Sequence, residues 1–292
     1  MDLQEKDPVT GRKTTGHEWN GIKELNTPIP RVILAFLAVT ILFAVVYWVL
    51  MPAWPTGRSY TKGLRGHDDR AEVMQQVHAA AAERAVWSDK IVQASFDDIV
   101  ADDVLMNHVM DTGSTLFADN CAVCHGVDGR GGPGFPDLAA GVWLWGGDPD
   151  TLAETIRVGI NSGHPETRNS EMLGFGQIGV LNREQVRAAG AYVRSLSGGA
   201  LNDADRAMID LGLEVYTANC VVCHGQTGTG DPTVGAPDLT DDVWLHGGDA
   251  QSIVNTIHRG HQGHMPHWED RLSEGDIRLL TVYVRALGER RG

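Results

Sequence analysis

Two short stretches decide the fold: CAVCHG at residues 121–126 and CVVCHG at residues 220–225. Each is a C-x-x-C-H motif, and together they hold all four cysteines of the 292-residue chain. This spacing is typical of covalent haem c attachment, because two thioether bonds fix the macrocycle on one turn while the adjacent His ligates the iron. We therefore predict two covalently bound haem c groups. The predicted attachment residues are Cys121, Cys124, Cys220 and Cys223, and the predicted proximal iron ligands are His125 and His224.

Other uses of paired cysteines fit less well. Zinc ribbons separate their pairs by about 15–20 residues, whereas Cys220 follows Cys124 by 96 positions. A redox-active dithiol would not need His after both motifs, and two disulfides would be unusual at this spacing. Haem c is attached outside the cytoplasm, so the two motifs also predict a periplasmic location for the part of the chain that carries them.

The motifs belong to a longer repeat. FPDLAAGVWLWGGD at residues 135–148 matches APDLTDDVWLHGGD at residues 236–249, and YVRSL at 192–196 matches YVRAL at 283–287. We interpret the repeat as two copies of one domain, residues 106–198 and 199–292, since units of this size each hold a small core. Both copies are predicted to be helical, with a helix leading into the cysteines, a helix at 149–158 or 250–259, and a last helix with apolar residues every three to four positions.

The predicted core of each copy packs around its haem. Within each copy the first and last helices are expected to cross, with Phe117 against Tyr192 and Tyr216 against Tyr283. The apolar residues expected to line the two haem pockets are Leu138, Trp143, Leu239 and Trp244.

The chain also carries a predicted membrane anchor. Residues 32–50 are almost wholly apolar, which is long enough to cross a bilayer as a helix. We predict a cytoplasmic segment at 1–30, a transmembrane helix at 31–54 and a partly helical periplasmic connector at 55–105. Five Lys/Arg precede the span and four follow it closely, so the positive-inside rule leaves the orientation open. The haem motifs decide it, with a single pass and a cytoplasmic N-terminus.

The charge of the chain restricts its partners. The formal net charge is −14, and from Ala71 onward 31 acidic side chains face 15 basic ones. Nucleic-acid binding requires a basic face, so it is excluded. An acidic surface favours docking to a basic partner.

Both repeats resemble class I cytochrome c, so the predicted fold is all-α, with one N-terminal transmembrane helix and two tandem cytochrome c domains. In that family the Pro of a P-[DN]-L element accepts a hydrogen bond from the proximal His through its carbonyl, a role that falls to Pro136 and Pro237. The segment HEWNGIKELNTPIPR at residues 17–31, the span, and WPTGRSYTKGLRG at residues 54–66 make the resemblance more specific. The whole chain is similar to the dihaem CcoP/FixP family of cbb3-type cytochrome c oxidase subunits.

That resemblance implies an electron-relay subunit in the bacterial inner membrane. Electrons would arrive from a basic cytochrome c or a bc1 complex and pass, with a monohaem cytochrome c subunit, to the haem-copper catalytic subunit. There oxygen is reduced and protons are pumped, so this chain holds no catalytic residue. His17, Glu18 and Trp19 would belong to a segment that docks on the complex, although an amphipathic interfacial tail fits the same residues.

Each repeat offers two candidates for the distal iron ligand. Met265 stands five residues after Gly260 and is the expected distal ligand of the second haem, with His264 as an alternative. In the first repeat the expected ligand is Met172, thirteen residues after Gly159. His164 stands five residues after Gly159 and is the alternative there. A His/Met pair suits an electron path toward oxygen because Met raises the potential.

Two other functions share these motifs. A free, membrane-tethered dihaem carrier would shuttle electrons between complexes, but it would need neither the N-terminal stretch nor the motifs that flank the span. A haem-based gas sensor or a peroxidase would need one iron with an open or displaceable coordination position. Binding of carbon monoxide to the reduced protein separates this last class from an electron carrier.

Overall fold

The computed structural model describes residues 5–289, and its contacts divide the chain into a unit up to Ala82 and a unit from Glu83 onward. Apart from one short hairpin, the described elements are helical, which confirms the predicted all-α class. The helices are α1 Arg31–Leu50, α2 Asp69–Gln93, α3 Phe96–Ala101, α4 Asp103–Asn120, α5 Ala122–His125, α6 Pro149–Val158, α7 Arg183–Leu196, α8 Asp203–Arg206, α9 Ile209–Asn219, α10 Val221–His224, α11 Ala250–Arg259 and α12 Glu274–Glu289.

The first unit begins with a hairpin that was not predicted. Strands β1, Thr14–Trp19, and β2, Ile22–Leu25, pair antiparallel around Asn20 and Gly21. Both turn residues have positive φ, 50° and 84°, and Asn-Gly is the dipeptide that two-residue hairpin turns favour. The hairpin leaves the side chains of Trp19 and Ile22 exposed.

Helix α1 is long and apolar enough to cross a membrane. Its most apolar 18 residues have a mean hydropathy of 2.8, and none of its residues is buried. The segment after it folds back and satisfies carbonyls that the helix end leaves open. Leu64 N–H donates to the Val49 carbonyl at 3.0 Å, and Arg65 N–H donates to the Leu50 carbonyl at 3.1 Å. Gly63 makes this return possible, since it has φ +65° and a Cβ there would collide with the Leu50 backbone.

Helices α6 and α11 occupy the predicted ranges, and their ends explain why. Asp148 and Asp249 cap the two N-termini, accepting from the backbone N–H groups of Thr151 at 2.9 Å and Ser252 at 3.1 Å. Gly159 and Gly260 end the helices with φ of +69° and +70°. The same local signals in both repeats therefore produce two helices of the same length.

The second unit holds two hydrophobic cores. The core that we call the first core contains the last turn of α2, α3 and α4, and α12 packs on it together with α6. Its fully buried side chains include Ile99, Val109, Phe117, Leu279 and Leu280. The second core is built from α7, α9 and α11, with Val186, Ala189, Val215, Tyr216 and Ile253 buried inside.

These cores correct the predicted helix pairing. Phe117 packs against Tyr283, with ring centroids 5.6 Å apart, and Tyr216 packs against Tyr192 at 5.1 Å. The expected contacts, Phe117 with Tyr192 and Tyr216 with Tyr283, are therefore wrong. The last helix of each repeat packs on the first helix of the other. Both pairings bury the same residue types, so the helix faces alone do not distinguish them.

Glycine permits the close approach of each helix pair. A Cβ on Gly113 of α4 would lie 2.8 Å from the Cβ of Tyr283, and a Cβ on Gly212 of α9 would lie 2.7 Å from the Cβ of Tyr192. Ordinary carbon–carbon contacts lie at about 3.5–4.0 Å. Each first helix therefore meets the last helix of the other repeat at a glycine.

Candidate functional site

Each C-x-x-C-H motif forms one helical turn. His125 N–H donates to the Cys121 carbonyl and His224 N–H to the Cys220 carbonyl, both at 2.9 Å. Gly126, with φ 74° and ψ 156°, ends the first turn. Since one turn brings residues four apart to the same side, the two thiols and the imidazole of each motif are presented together.

A backbone carbonyl orients each proximal imidazole. The Nδ1 of His125 lies 3.3 Å from the Pro136 carbonyl oxygen, and the Nδ1 of His224 lies 3.1 Å from that of Pro237. This is the arrangement that the resemblance to class I cytochrome c implies. A carbonyl only accepts, so Nδ1 carries the proton and Nε2 is left with its lone pair for iron. Burial also lowers the pKa of both imidazoles, which favours the neutral, ligating form.

The cysteines fit thioether attachment to a haem. All four are free, and burial raises the pKa of the Cys121 and Cys220 thiols to about 11. Within residues 5–289 no group of three or more His, Cys, Asp or Glu side chains is arranged to hold a metal ion. A zinc site needs such a cluster, whereas a haem needs only the Cys-x-x-Cys-His turn and axial ligands.

Apolar side chains surround each turn. Leu138 and Trp143 pack against the first core together with Cys121. In the second core Leu239 is buried, and Trp244 and Cys220 both pack against it. These four side chains, predicted from the sequence to line the haem pockets, thus lie in the same cluster as a cysteine predicted to attach a haem. They remain predictions as haem contacts.

The two candidate methionines lie in opposite cores from those expected. Met265 of the second repeat packs against the first core, which contains Cys121. Met172 of the first repeat packs against the second core, which contains Cys220. Each Met was expected beside the cysteines of its own repeat, but it packs in the core that holds a cysteine of the other repeat.

The two alternative histidine ligands are engaged elsewhere. His164 uses both ring nitrogens: Nε2 lies 2.5 Å from a Glu269 carboxylate oxygen, and Nδ1 accepts from the Glu166 N–H at 3.0 Å. His264 is exposed, and its Nδ1 lies 2.9 Å from the Asn161 carbonyl oxygen. Both ring nitrogens of His164 are therefore occupied, whereas the contact of His264 occupies Nδ1 alone.

Sequence reasoning missed a polar cluster where the repeats meet. Arg157, at the end of α6, donates to Glu154 at 2.8 Å and to Glu166 and Glu269 at 2.5 Å. The first two partners belong to the first repeat and Glu269 to the second. No spacing in the sequence signals this cluster, because it depends on which repeat supplies the neighbouring loop.

A pair of matched aromatic positions was also missed. Trp145 and His246 occupy the same place in the two VWL-x-GGD segments. The Arg168 guanidinium lies over the Trp145 ring, 5.1 Å from its centroid. His246 stacks on His261, with ring centroids 3.6 Å apart and planes 5° from parallel. The repeat alignment marks the two positions, but it does not reveal their partners.

Comparison with known proteins places these features in context. Residues 11–58 match the family described as the N-terminal domain of cytochrome oxidase-cbb3, FixP. Residues 110–197 match the cytochrome c family, and residues 207–284 match the family of cytochrome C oxidase, cbb3-type, subunit III.

Relatives align along nearly the whole chain. The cbb3-type cytochrome c oxidase subunit FixP of Bradyrhizobium sp. (strain ORS 278) is 43% identical over 287 residues, covering 98% of both chains. Subunit FixP of Azorhizobium caulinodans is 44% identical over 282 residues, covering 97% of this chain and 95% of the relative. Subunit CcoP of Cereibacter sphaeroides is 41% identical over 276 residues, covering 94% of each.

Proposed function

Because this chain belongs to the FixP/CcoP family of cbb3-type cytochrome c oxidase subunits, we propose that it relays electrons through two covalent haem c groups to the catalytic subunit of such an oxidase. The observation that carries this is the pair of C-x-x-C-H turns, each with its imidazole aimed by a prolyl carbonyl. That geometry would leave Nε2 free to ligate an iron, in a chain that aligns with FixP of Bradyrhizobium sp. along 98% of its length.

The ligand set supports electron transfer over gas chemistry. A His/Met pair leaves no open coordination position for oxygen, and Met raises the potential of the haem. Met172 and Met265 each pack against the same core as a cysteine of one turn, while other groups occupy both ring nitrogens of His164. We propose that oxygen is reduced in the haem-copper subunit, with proton pumping, and that a monohaem cytochrome c subunit shares the electron path.

The anchor and the charge suggest how the subunit is placed. Helix α1 fits a single pass through the inner membrane, and haem c attachment puts the part after it in the periplasm. The excess of acidic residues from Ala71 onward suits a basic cytochrome c, or the bc1 complex, as donor. On the cytoplasmic side the hairpin exposes Trp19 and Ile22, which we propose contact the other subunits of the oxidase.

Purification of a tagged chain from its native membranes tests this function. The eluate should contain two haem c per chain by pyridine haemochrome analysis, together with haem b and copper. A double variant, Trp19→Ala with Ile22→Ala, is the matched control, since it keeps the anchor and both haem motifs but removes the exposed apolar side chains. It should retain haem c and lose haem b and copper.

Two results would contradict the proposal. Haem c without haem b or copper in the unaltered chain would indicate a free membrane-tethered carrier. Stoichiometric binding of carbon monoxide to one reduced haem of the isolated chain would indicate a sensor or a peroxidase, because a six-coordinate His/Met iron has no position for it.

A further inference from the structure

We propose that the two repeats exchange their distal ligands. The haem attached at residues 121–125 takes Met265 from the second repeat, and the haem attached at residues 220–224 takes Met172 from the first. This inference rests on the proposed haem c at each turn, and it adds which sulfur ligates which iron. Each haem site is then built from both repeats.

The cores provide the first argument. Met265 packs in the cluster that contains Cys121, Trp143 and Phe117. Met172 packs in the cluster that contains Cys220 and Trp244. A distal ligand must reach the iron from the same core that the cysteines border, and in each core the methionine that packs there comes from the other repeat.

The backbone at the two helix ends provides the second argument. Ile160, the second residue after α6, exchanges a pair of hydrogen bonds with Met265, each 2.9 Å long. His261, which holds the same place after α11, exchanges a pair with Met172, each also 2.9 Å. Helix α6 belongs to the first core and α11 to the second. Each methionine is therefore fixed at the end of the helix whose core it enters.

The glycines that end α6 and α11 permit the close backbone contacts that this exchange requires. Gly159 has φ +69°, and a Cβ there would collide with the backbone of Met265 and Pro266. Gly260 has φ +70°, and a Cβ there would collide with the backbone of Met172 and Leu173. Only glycine combines this conformation with so close an approach. At both helix ends, therefore, a glycine lets the methionine-bearing loop of the other repeat approach the backbone closely.

The extra residues of the first loop agree with the exchange. Arg168 N–H donates to the Gly159 carbonyl at 3.1 Å, and Asn161 N–H donates to the Arg168 carbonyl at 2.7 Å. The eight residues 161–168 therefore form a closed excursion. Without it, Met172 would follow Gly159 by five residues, which is the distance from Gly260 to Met265. Both sulfurs consequently stand at equivalent places relative to the helix that precedes them.

The excursion itself joins the repeats. It presents Glu166 to Arg157 and His164 to Glu269, the latter at 2.5 Å. The Asn161 side chain also donates to the Gly263 carbonyl at 2.7 Å. These contacts join the loop that carries Met172 to the loop that carries Met265. Because both ring nitrogens of His164 already have partners, neither is available to an iron.

A spin label beside one haem tests which iron each sulfur binds. The full chain in detergent is labelled after Val127→Cys, an exposed position two residues beyond His125. Gln226→Cys, two residues beyond His224 and also exposed, is the matched control. Met265→His or Met172→His then marks one ferric haem by its bis-imidazole g-values. Dipolar EPR at those g-values measures the distance from the label to the marked haem.

With exchanged ligands, the label at 127 should give its shorter haem distance in Met265→His and its longer one in Met172→His, and the label at 226 should give the reverse. Each single variant should also lose half of the near-infrared Met–iron band. If a His variant does not fold, Met265→Ala or Met172→Ala marks the haem by its high-spin ferric signal instead. Short distances in the opposite variants would overturn the exchange while leaving two haems c in place. A chain without haem c in the pyridine haemochrome assay would instead refute the proposed function.

Discussion

The crossing of α4 and α12 can be tested by a double-mutant cycle. An alanine at Gly113 would place its Cβ 2.8 Å from Cβ, 2.9 Å from Cγ and 3.0 Å from Cδ2 of Tyr283. All three atoms belong to the tyrosine side chain, so truncating it to alanine removes the ring atoms that cause two of the collisions. The two substitutions should therefore interact in their effect on the free energy of unfolding.

The size of that interaction follows from the geometry. Overpacking a well-packed contact costs about 1–3 kcal/mol, while alanine is better than glycine inside a helix by about 1 kcal/mol. Gly113→Ala alone should thus destabilise the chain by up to about 2 kcal/mol. In the background of Tyr283→Ala, which itself costs about 3–5 kcal/mol, the same change should cost less, because only the 2.8 Å approach to the remaining Cβ persists. The expected coupling energy is about 0.5–3 kcal/mol, as for residues in contact.

Tyr192→Ala provides the matched control, because Tyr192 holds the place in the first repeat that Tyr283 holds in the second. Residues without a shared contact are additive within about 0.3–0.5 kcal/mol, so Gly113→Ala and Tyr192→Ala should not couple beyond that. Denaturant unfolding of the full chain in detergent, followed by Soret circular dichroism, measures all the variants. Coupling of Gly113 to Tyr192 and none to Tyr283 would refute the crossed pairing.

Two further predictions concern the meeting of the repeats. Arg157 and His164 hold the pKa of Glu269 below its ordinary value of 4.5, so its ionisation stabilises the fold above about pH 4.5 and this contribution fades as the pH falls below it. Glu269→Gln should therefore show a smaller loss of stability than the unaltered chain between pH 5.5 and about 4, and an equal loss would contradict the role of this carboxylate. Gly260→Ala should weaken the near-infrared Met–iron band, while Gly198→Ala, which has positive φ but nothing within 4 Å of a Cβ, should leave that band unchanged. Equal spectra for both glycine variants would contradict the close seating of the ligand loop.

Local features of this chain are readable from its sequence. The ranges of α6 and α11 follow from an Asp cap and a terminal Gly in each repeat, and apolar residues every three to four positions mark the last helices. The two cysteine turns depend on a short spacing that both repeats preserve. Short-range patterns were sufficient for these features, whereas the prolyl carbonyls that orient His125 and His224 were expected only from the resemblance to class I cytochrome c.

The hairpin was missed although its turn carries a recognisable signal. Asn20-Gly21 is a favoured hairpin dipeptide, but the flanking strands have six and four residues and are mostly exposed. They lack the alternation of apolar and polar residues by which a half-buried strand is recognised. A turn signal without such a pattern is easily passed over.

The pairing of helices could not be read from the sequence because the repeats are alike where they touch. Gly113 and Gly212 hold matched positions, as do Phe117 and Tyr216. Their partners Tyr192 and Tyr283 are the same residue type in the same place of each repeat. Both pairings therefore bury nearly equal apolar surface, and helix-face patterns carry almost no information on the choice.

What separates the two pairings lies in the loops. Only the first repeat has the excursion 161–168, and only the second supplies Glu269 to Arg157. These differences place unlike groups opposite one another at the crossover, where two identical loops would place like groups. The extra residues 161–168 made the Met172 loop hard to align with the Met265 loop. The same residues favour the observed pairing, in which the last helix of each repeat packs on the first helix of the other. With the proposed exchange, each iron would draw its proximal and distal ligands from different repeats, so neither haem site would form before both repeats are folded.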